Sequence, residues 1–303
     1  MTTAIAGWTS DRPGHLEVNG QLLCLLAVHA HPDDESSKGA GLAAKYAEQG
    51  IRTVLVTCTG GEAGDILNPA MDQPGVLENL AAIRQDELRQ ATGILAYSAV
   101  YLLGYHDSGM PKTDWNERPD NFHNADRDEA VGRLVAIIRK ERPQVLLTYG
   151  DEQHFYGHPD HIKVHEISVP AFDAAGDPTY RPDLGPAWQP SKMYFTGWSP
   201  RRQKALDGLY EELGIERPQQ RRPPRELPEG WEDRFTTMVD VSDYFEHRKS
   251  ALLAHRTQID PTGQWFRLPD DAVRKVFPWE EFALARSLVP TEPPEDDLFA
   301  GIR

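Results

Sequence analysis

The sequence predicts an α/β protein: a Rossmann-like, mostly parallel sheet with helices on both faces, followed by a C-terminal cap region. Three observations carry this prediction. Residues 22–29 (LLCLLAVH) form an apolar run of strand length with no charge in it, as in a strand buried on both faces. A helix-forming run and then the β-branched IRTVLVTCT of residues 51–59 complete a strand–helix–strand unit, which implies a parallel pair with a right-handed crossover. Clusters of His, Asp and Glu follow directly after predicted strands, on the carboxyl edge where open α/β sheets bind ligands.

Taken in order, residues 1–20 read as an irregular lead-in, and 22–29 as the first strand. A helix follows over 36–49, rich in Ala and Leu and closed by Gly50. Strand two, 51–59, runs into a glycine loop (Gly60, Gly61, Gly64) around Glu62, which lacks a phosphate-loop pattern and reads as a substrate-side loop. Residues 77–95 are a long helix whose charges mostly form a solvated face. Strand three, 100–103, ends in GYHDSG, which puts Asp107 on the same edge. A helix with an apolar stripe spans 126–142. Strand four, 144–149, leads to the histidine-rich segment 150–161, a helix over 161–174 and a fifth strand over 192–196. Residues 199–233 are rich in Arg, Pro and Glu and read as a surface excursion. A helix over 241–255 precedes a stretch from 258 to 303 that wraps the surface or caps the site. The expected organisation is a catalytic core over 1–198 and an excursion plus cap over 199–303, packed as one structural unit.

The chain has 303 residues and a net charge of −15, which argues against a nucleic-acid surface and a polybasic membrane anchor. No run approaches a membrane span and the start does not resemble a signal peptide. Its two cysteines, Cys24 and Cys58, sit in apolar strands as small core residues, so a cytoplasmic location is expected.

The chemistry concentrates in two packets. His31, Pro32, Asp33, Asp34 and Glu35 end the first strand; His158, Pro159, Asp160 and His161 follow the fourth. Taken alone, the first packet reads more simply as a solvated turn in which Asp34 or Ser36 caps a helix. Together, the two place imidazoles and carboxylates on one side of one sheet. A site of His31, Asp34 and His161 offers three ligands and an open position, the catalytic pattern for zinc. Asp33 is then available as general base, His158 as electrophile toward a carbonyl, and Asp160 to orient a neighbouring imidazole. His29 shares a strand face with His31 and is either a supporting or a packed residue.

The HPDDE and HPDH packets, in this order and each after a strand, resemble the zinc-dependent N-deacetylases of the LmbE/PIG-L superfamily. Further runs resemble its mycothiol S-conjugate amidase branch: VHAHPDDESSKGA, TGGEAGDILNPAMD, DSG at Asp107, GHPDHI, TQID at Thr257 and the terminal LFAGI. The resemblance implies metal ligands at His31, Asp34 and His161, a base at Asp33, a carbonyl-polarising His158 and a mobile active-site tyrosine at Tyr156. It implies zinc (Zn2+) and substrate contacts from Lys38 and Arg84; ferrous iron (Fe2+) uses overlapping ligands, and Glu62 and Asp107 on the carboxyl-edge loops are further substrate-side candidates. Outside the resemblance, Lys38 reads as an exposed helix lysine and Arg84 as a surface ion pair. The loop YGDEQHFYG before the second packet departs from the family's glycine-rich turn.

The expected activity is hydrolysis of the amide in a mycothiol S-conjugate, a small thiol–sugar partner, releasing a mercapturic acid and glucosaminyl-inositol. Alternatives are the N-acetylglucosaminyl-inositol deacetylase and an amidase dedicated to one mycothiol adduct in natural-product biosynthesis. From another class, a phosphoacceptor receiver domain also ends its first strand in an acidic pair. It accounts for neither His31 nor the second packet, and the chain is far longer than one receiver.

Overall fold

The computed structural model describes residues 5–153, 157–218 and 228–303. Its strands are β1 (Ala6–Thr9), β2 (Glu17–Val18), β3 (Gln21–Leu22), β4 (Cys24–His29), β5 (Arg52–Thr59), β6 (Ala99–Tyr105), β7 (Val145–Tyr149), β8 (Lys192–Thr196), β9 (Thr237–Asp240) and β10 (Trp279–Ser287). The helices are α1 (Asp34–Ser37), α2 (Ala40–Glu48), α3 (Leu80–Ile94), α4 (Asp114–Glu117), α5 (Arg127–Glu141), α6 (Pro159–Gly176), α7 (Pro200–Glu212), α8 (Phe245–Ala254) and α9 (Asp270–Val276).

All six residues of β4 are buried, and alternation sorts them into two cores. Leu25 and Ala27 face a cluster with Leu42, Leu55, Leu88 and Ala251; Cys24, Leu26 and Val28 face one with Val56, Leu134, Val164 and Ile167. Burying each of the larger side chains contributes about 1.5–3 kcal/mol, which is why this uncharged run lies at the middle of the sheet. The α/β fold and helices on both faces are as the sequence predicts. Both cysteines are free and buried.

The sheet order is β1-β6-β5-β4-β7-β8-β10-β9. From β6 to β8 the pairing is parallel. Connections run outward one way from β4 through β5 to β6, and the other way through β7 to β8. The direction therefore reverses between β4 and β7, the point beyond whose carboxyl ends open α/β sheets bind ligands. Both histidine packets leave the sheet at this point.

Three parts differ from the sequence reading. The lead-in is not all irregular: β1 pairs antiparallel with β6, and β2 and β3 form a small hairpin. The helix predicted over 36–49 breaks at Lys38 and at Gly39, which is left-handed at φ 85, into α1 and α2. The C-terminal stretch contributes β10, which pairs antiparallel with β8 and β9 and lengthens the sheet. The terminal Leu298 and Phe299 enter the first core, where Tyr46 Oη receives the Leu298 N–H at 2.8 Å and donates to Asp297 at 2.6 Å. The 199–233 excursion starts with α7, in which only Leu209 is buried, and part of it lies outside the described residues. Among the described residues no helix is long and apolar enough to cross a membrane.

Candidate metal centre and active site

Pro32 ends β4 pairing and turns the chain so that Asp33 lies at φ 112, a conformation that costs a non-glycine residue about 1–3 kcal/mol. The neighbours hold it there. Arg84 on α3 donates from Nη2 to Pro32 O at 2.5 Å and Asp33 Oδ2 at 3.0 Å, and from Nη1 to Gly61 O at 2.6 Å. The Asp33 N–H donates to Glu35 Oε2 at 2.9 Å. Gly61 admits this arginine: at φ 70, a Cβ there would come within 2.4 Å of the guanidinium carbon. The capping candidates Asp34 and Ser36 lie inside α1 rather than before it, and Asp33, which precedes it, makes no side-chain cap.

Asp34 receives the His31 backbone N–H on Oδ2 at 3.0 Å and lies 3.5 Å from both His31 Nδ1 and His161 Nε2. His31 Nε2 is 3.1 Å from Asp160 Oδ2 and 3.6 Å from Asp107 Oδ1. Asp160 is itself fixed by the Ser108 N–H at 2.9 Å and by the Ser108 hydroxyl. A carboxylate on one ring nitrogen leaves the other to ligate, the usual support for a metal-binding imidazole. His161 repeats the pattern: Nδ1 donates to Gln153 Oε1 at 2.8 Å, and Nε2 faces Asp34. Its ring stacks on Tyr149 with centroids 4.7 Å apart, and the Tyr149 hydroxyl meets His29 Nδ1 at 3.1 Å. His29 is thus a supporting residue two contacts away.

The donor set fits a divalent cation. Donor atoms of His31, Asp34 and His161 lie within 4.8 Å of one another, as do those of His31, Asp107, His158 and Asp160. Four carboxylates (Asp33, Asp34, Asp107, Asp160) face two permanent cations (Lys38, Arg84), so the formal count is two positive charges short. The ionisations follow this surplus. Burial disfavours charge on His31, but Asp107, Asp160 and Asp34 outweigh it and hold its pKa well above 6.5. Burial also opposes ionisation of Asp34, yet Lys38, His161 and His31 pull it well below 3.8. Asp33 goes the other way: desolvation raises it, against the pull of Arg84 and with a push from Asp34. Burial and the neighbouring His31 lower His158 to about 4, so its ring is neutral at neutral pH. Its Nδ1 accepts the Asp160 N–H at 3.3 Å, which leaves the proton on Nε2 as a donor.

The sequence-predicted residues fall as follows. His31, Asp33, Asp34, His158, Asp160 and His161 converge. Lys38 pairs with Asp34 Oδ1 at 2.5 Å, brought there by the break before α2. Arg84 is buried, so it is not the surface ion pair of the sequence reading. Asp107 is buried beside His31 and receives the Gly109 N–H at 2.8 Å. Glu62 Oε1 lies 2.5 Å from His106 Nδ1 at the rim. Tyr156 lies outside the described residues.

The family model of the GlcNAc-PI de-N-acetylase, PIG-L, matches residues 26–172, the segment carrying both packets. A mycothiol S-conjugate amidase of Streptomyces coelicolor is 46% identical over 288 residues, covering 93% of this chain and 98% of its own. The chain belongs to the PIG-L family. A 1D-myo-inositol 2-acetamido-2-deoxy-alpha-D-glucopyranoside deacetylase of Geodermatophilus obscurus is 40% identical, covering 92% of this chain and 97% of its own. The solved N,N'-diacetylchitobiose deacetylase of Pyrococcus horikoshii superposes with a TM-score of 0.58 at 19% identity, over 86% of this chain and 83% of that one. That likeness shows the fold alone. This PIG-L protein is a hydrolytic enzyme.

Four residues of the PIG-L site escaped the sequence reading: Tyr149, Gln153, Ser108 and His255. Gln153 and Ser108 lie on the carboxyl-edge loops already singled out, so position was a usable signal for them. Tyr149 looked like an ordinary strand residue, and His255 stands alone far down the chain.

Proposed function

We propose that this PIG-L enzyme hydrolyses the amide of mycothiol S-conjugates, giving a mercapturic acid and glucosaminyl-inositol. The observation behind the hydrolytic chemistry is the pairing of a three-residue donor set, His31, Asp34 and His161, with a desolvated carboxyl at Asp33. Two imidazoles and one carboxylate suit zinc, and ferrous iron uses overlapping ligands. Bound there, such a metal supplies Lewis acidity, lowering the pKa of water and polarising a carbonyl.

The chain's own groups supply the proton traffic. Asp33 takes a proton from water as the oxygen attacks the amide carbon. Its raised pKa suits a group that must then hold that proton. His158 donates from Nε2 to the carbonyl oxygen as negative charge grows on it. As the C–N bond breaks, Asp33 returns its proton to the departing nitrogen, leaving a carboxylic acid and an amine. Arg84 holds Asp33 in the geometry both transfers need. Tyr156 is proposed as a further active-site residue from the family motif, and Lys38, Glu62 and Asp107 as contacts at the substrate side.

Support for the conjugate over the N-acetyl sugar comes from identity, 46% to the amidase against 40% to the deacetylase at nearly equal coverage. The SSKGA run from Ser36 to Ala40 points the same way. The second reading, N-acetylglucosaminyl-inositol deacetylation, uses the same residues and differs in the acyl pocket. Amine release from a panel of mycothiol S-conjugates and the N-acetyl sugar separates them: the conjugates are expected to turn over faster. A much faster N-acetyl sugar would overturn the amidase reading.

A further inference from the structure

The TQID segment is used by none of the chemistry above, yet it and the preceding His255 reach the centre of the site. His255 caps the C-terminus of α8 and is fully buried, as is Glu35, 220 residues away; His255 Nε2 meets Glu35 Oε1 at 2.7 Å. The contact is a hydrogen-bonded pair between two fully buried side chains. The second oxygen of Glu35 is the one that receives the Asp33 N–H. A purely structural ion pair has no need to end on the amide of the one residue that sits at φ 112.

The residues after His255 tie down the opposite wall. Thr257 donates from N and Oγ1 to Glu87 on α3 at 2.9 and 2.7 Å, three residues along the helix from Arg84. Thr257 O receives the Leu67 N–H at 2.9 Å, and Gln258 Nε2 donates to Asp65 O at 3.0 Å. One short segment thus braces α1, α3 and the loop after Gly64. Glu35, the support at the Asp33 amide, contacts His255 directly, and Arg84, the support at the Asp33 carboxylate, stands on the same helix as the Glu87 that Thr257 holds.

We infer that His255 is a positioning residue for Asp33, acting through Glu35; this rests on Asp33 being the base. His255 touches neither substrate nor any proposed metal ligand's side chain among the contacts of the described residues. Its removal should move the chemical step and leave binding alone. His255→Ala is expected to keep bound zinc and KM but to lose about 10- to 100-fold in kcat, the usual effect of removing a group that orients an active-site residue. His255→Gln, which still presents an N–H to Glu35, should recover most of that loss. In an Asp33→Ala background the same change should add almost nothing, because residues acting as one unit are not additive. Should His255→Ala not fold, His255→Leu fills the space without the donor and is read by the same criteria. An unchanged kcat in the folded variant, or the same fold-loss in both backgrounds, would overturn the inference. Full activity of Asp33→Ala by itself would instead remove the base assignment, so the two failures are distinguishable.

Discussion

Lys192 and Glu295 meet at 2.5 Å near the β8–β10 side of the sheet, and both side chains are almost wholly buried. Tyr194 donates to the other Glu295 oxygen at 2.7 Å, Thr237 adds a bond at 3.2 Å, and Lys192 also reaches Ala300 O at 3.1 Å. One cation meets one anion, and both Glu295 oxygens are hydrogen-bonded. The cluster at the carboxyl ends of β4 and β7 is unbalanced: four carboxylates face two permanent cations, and Asp33 and Lys38 keep part of their side chains exposed. A buried charge is tolerated only with a partner. Where the fold supplies every partner, the cluster fastens the C-terminal stretch to the sheet. Where carboxylates outnumber the permanent cations by two, a cation from outside can complete the balance, and the donor set there could hold a metal.

That contrast can be broken at several points. His161→Ala has the largest expected effect: bound zinc falls from one equivalent per chain toward none and hydrolysis falls to background, read by metal analysis and amine release. Asp33→Ala should keep the metal and lose about 10²- to 10⁴-fold in kcat, the usual weight of a general base. Loss of metal in that variant would make Asp33 a ligand instead. Lys192→Met leaves Glu295 unpaired and should cost about 3–5 kcal/mol in denaturant unfolding while metal content and kcat of the folded protein stay unchanged. A fall in kcat would show that the balanced cluster is not separate from the site.

The smallest effect concerns pH. Glu35 is lowered in the folded state, so its contribution is present above 4.5 and is lost as pH falls through the folded value. His255 is raised, so its contribution is present below 6.5 and is lost as pH rises through its folded value. The pair therefore stabilises most between pH 4.5 and 6.5. Unfolding free energies of the wild type minus those of His255→Gln should be largest in that window and shrink on both sides. A flat difference would mean the pair is not ionised.

Much of the site was legible because metal chemistry demands a few residue types and parallel strands deliver them to one edge. His31 and Asp34 needed only a buried strand and a proline turn to be placed; His161 needed a second strand with the same sense. Arg84 is not the surface ion pair that its helix position suggests: helix periodicity cannot tell an arginine facing solvent from one that enters the gap left by Gly61. Lys38 was placed inside a continuous helix, and the left-handed Gly39 turned it back onto Asp34 instead. β10 was missed because its mixed pattern, with Glu280 and Glu281 buried, has no clean alternation; their charges are met by the α2 N-terminus and by Ser199.

By itself the sequence determined the doubly wound sheet, the burial of β4 and the edge on which the two packets emerge, since short-range hydrophobic patterning decides all three. Tertiary structure alone decided which partner each charged group takes. Asp33 and Asp34 are neighbours of the same type, yet Arg84 and Glu35 hold one while Lys38 and two histidines surround the other. The pKa of one is raised and that of the other lowered, because desolvation and charge depend on what lies within a few ångströms in space.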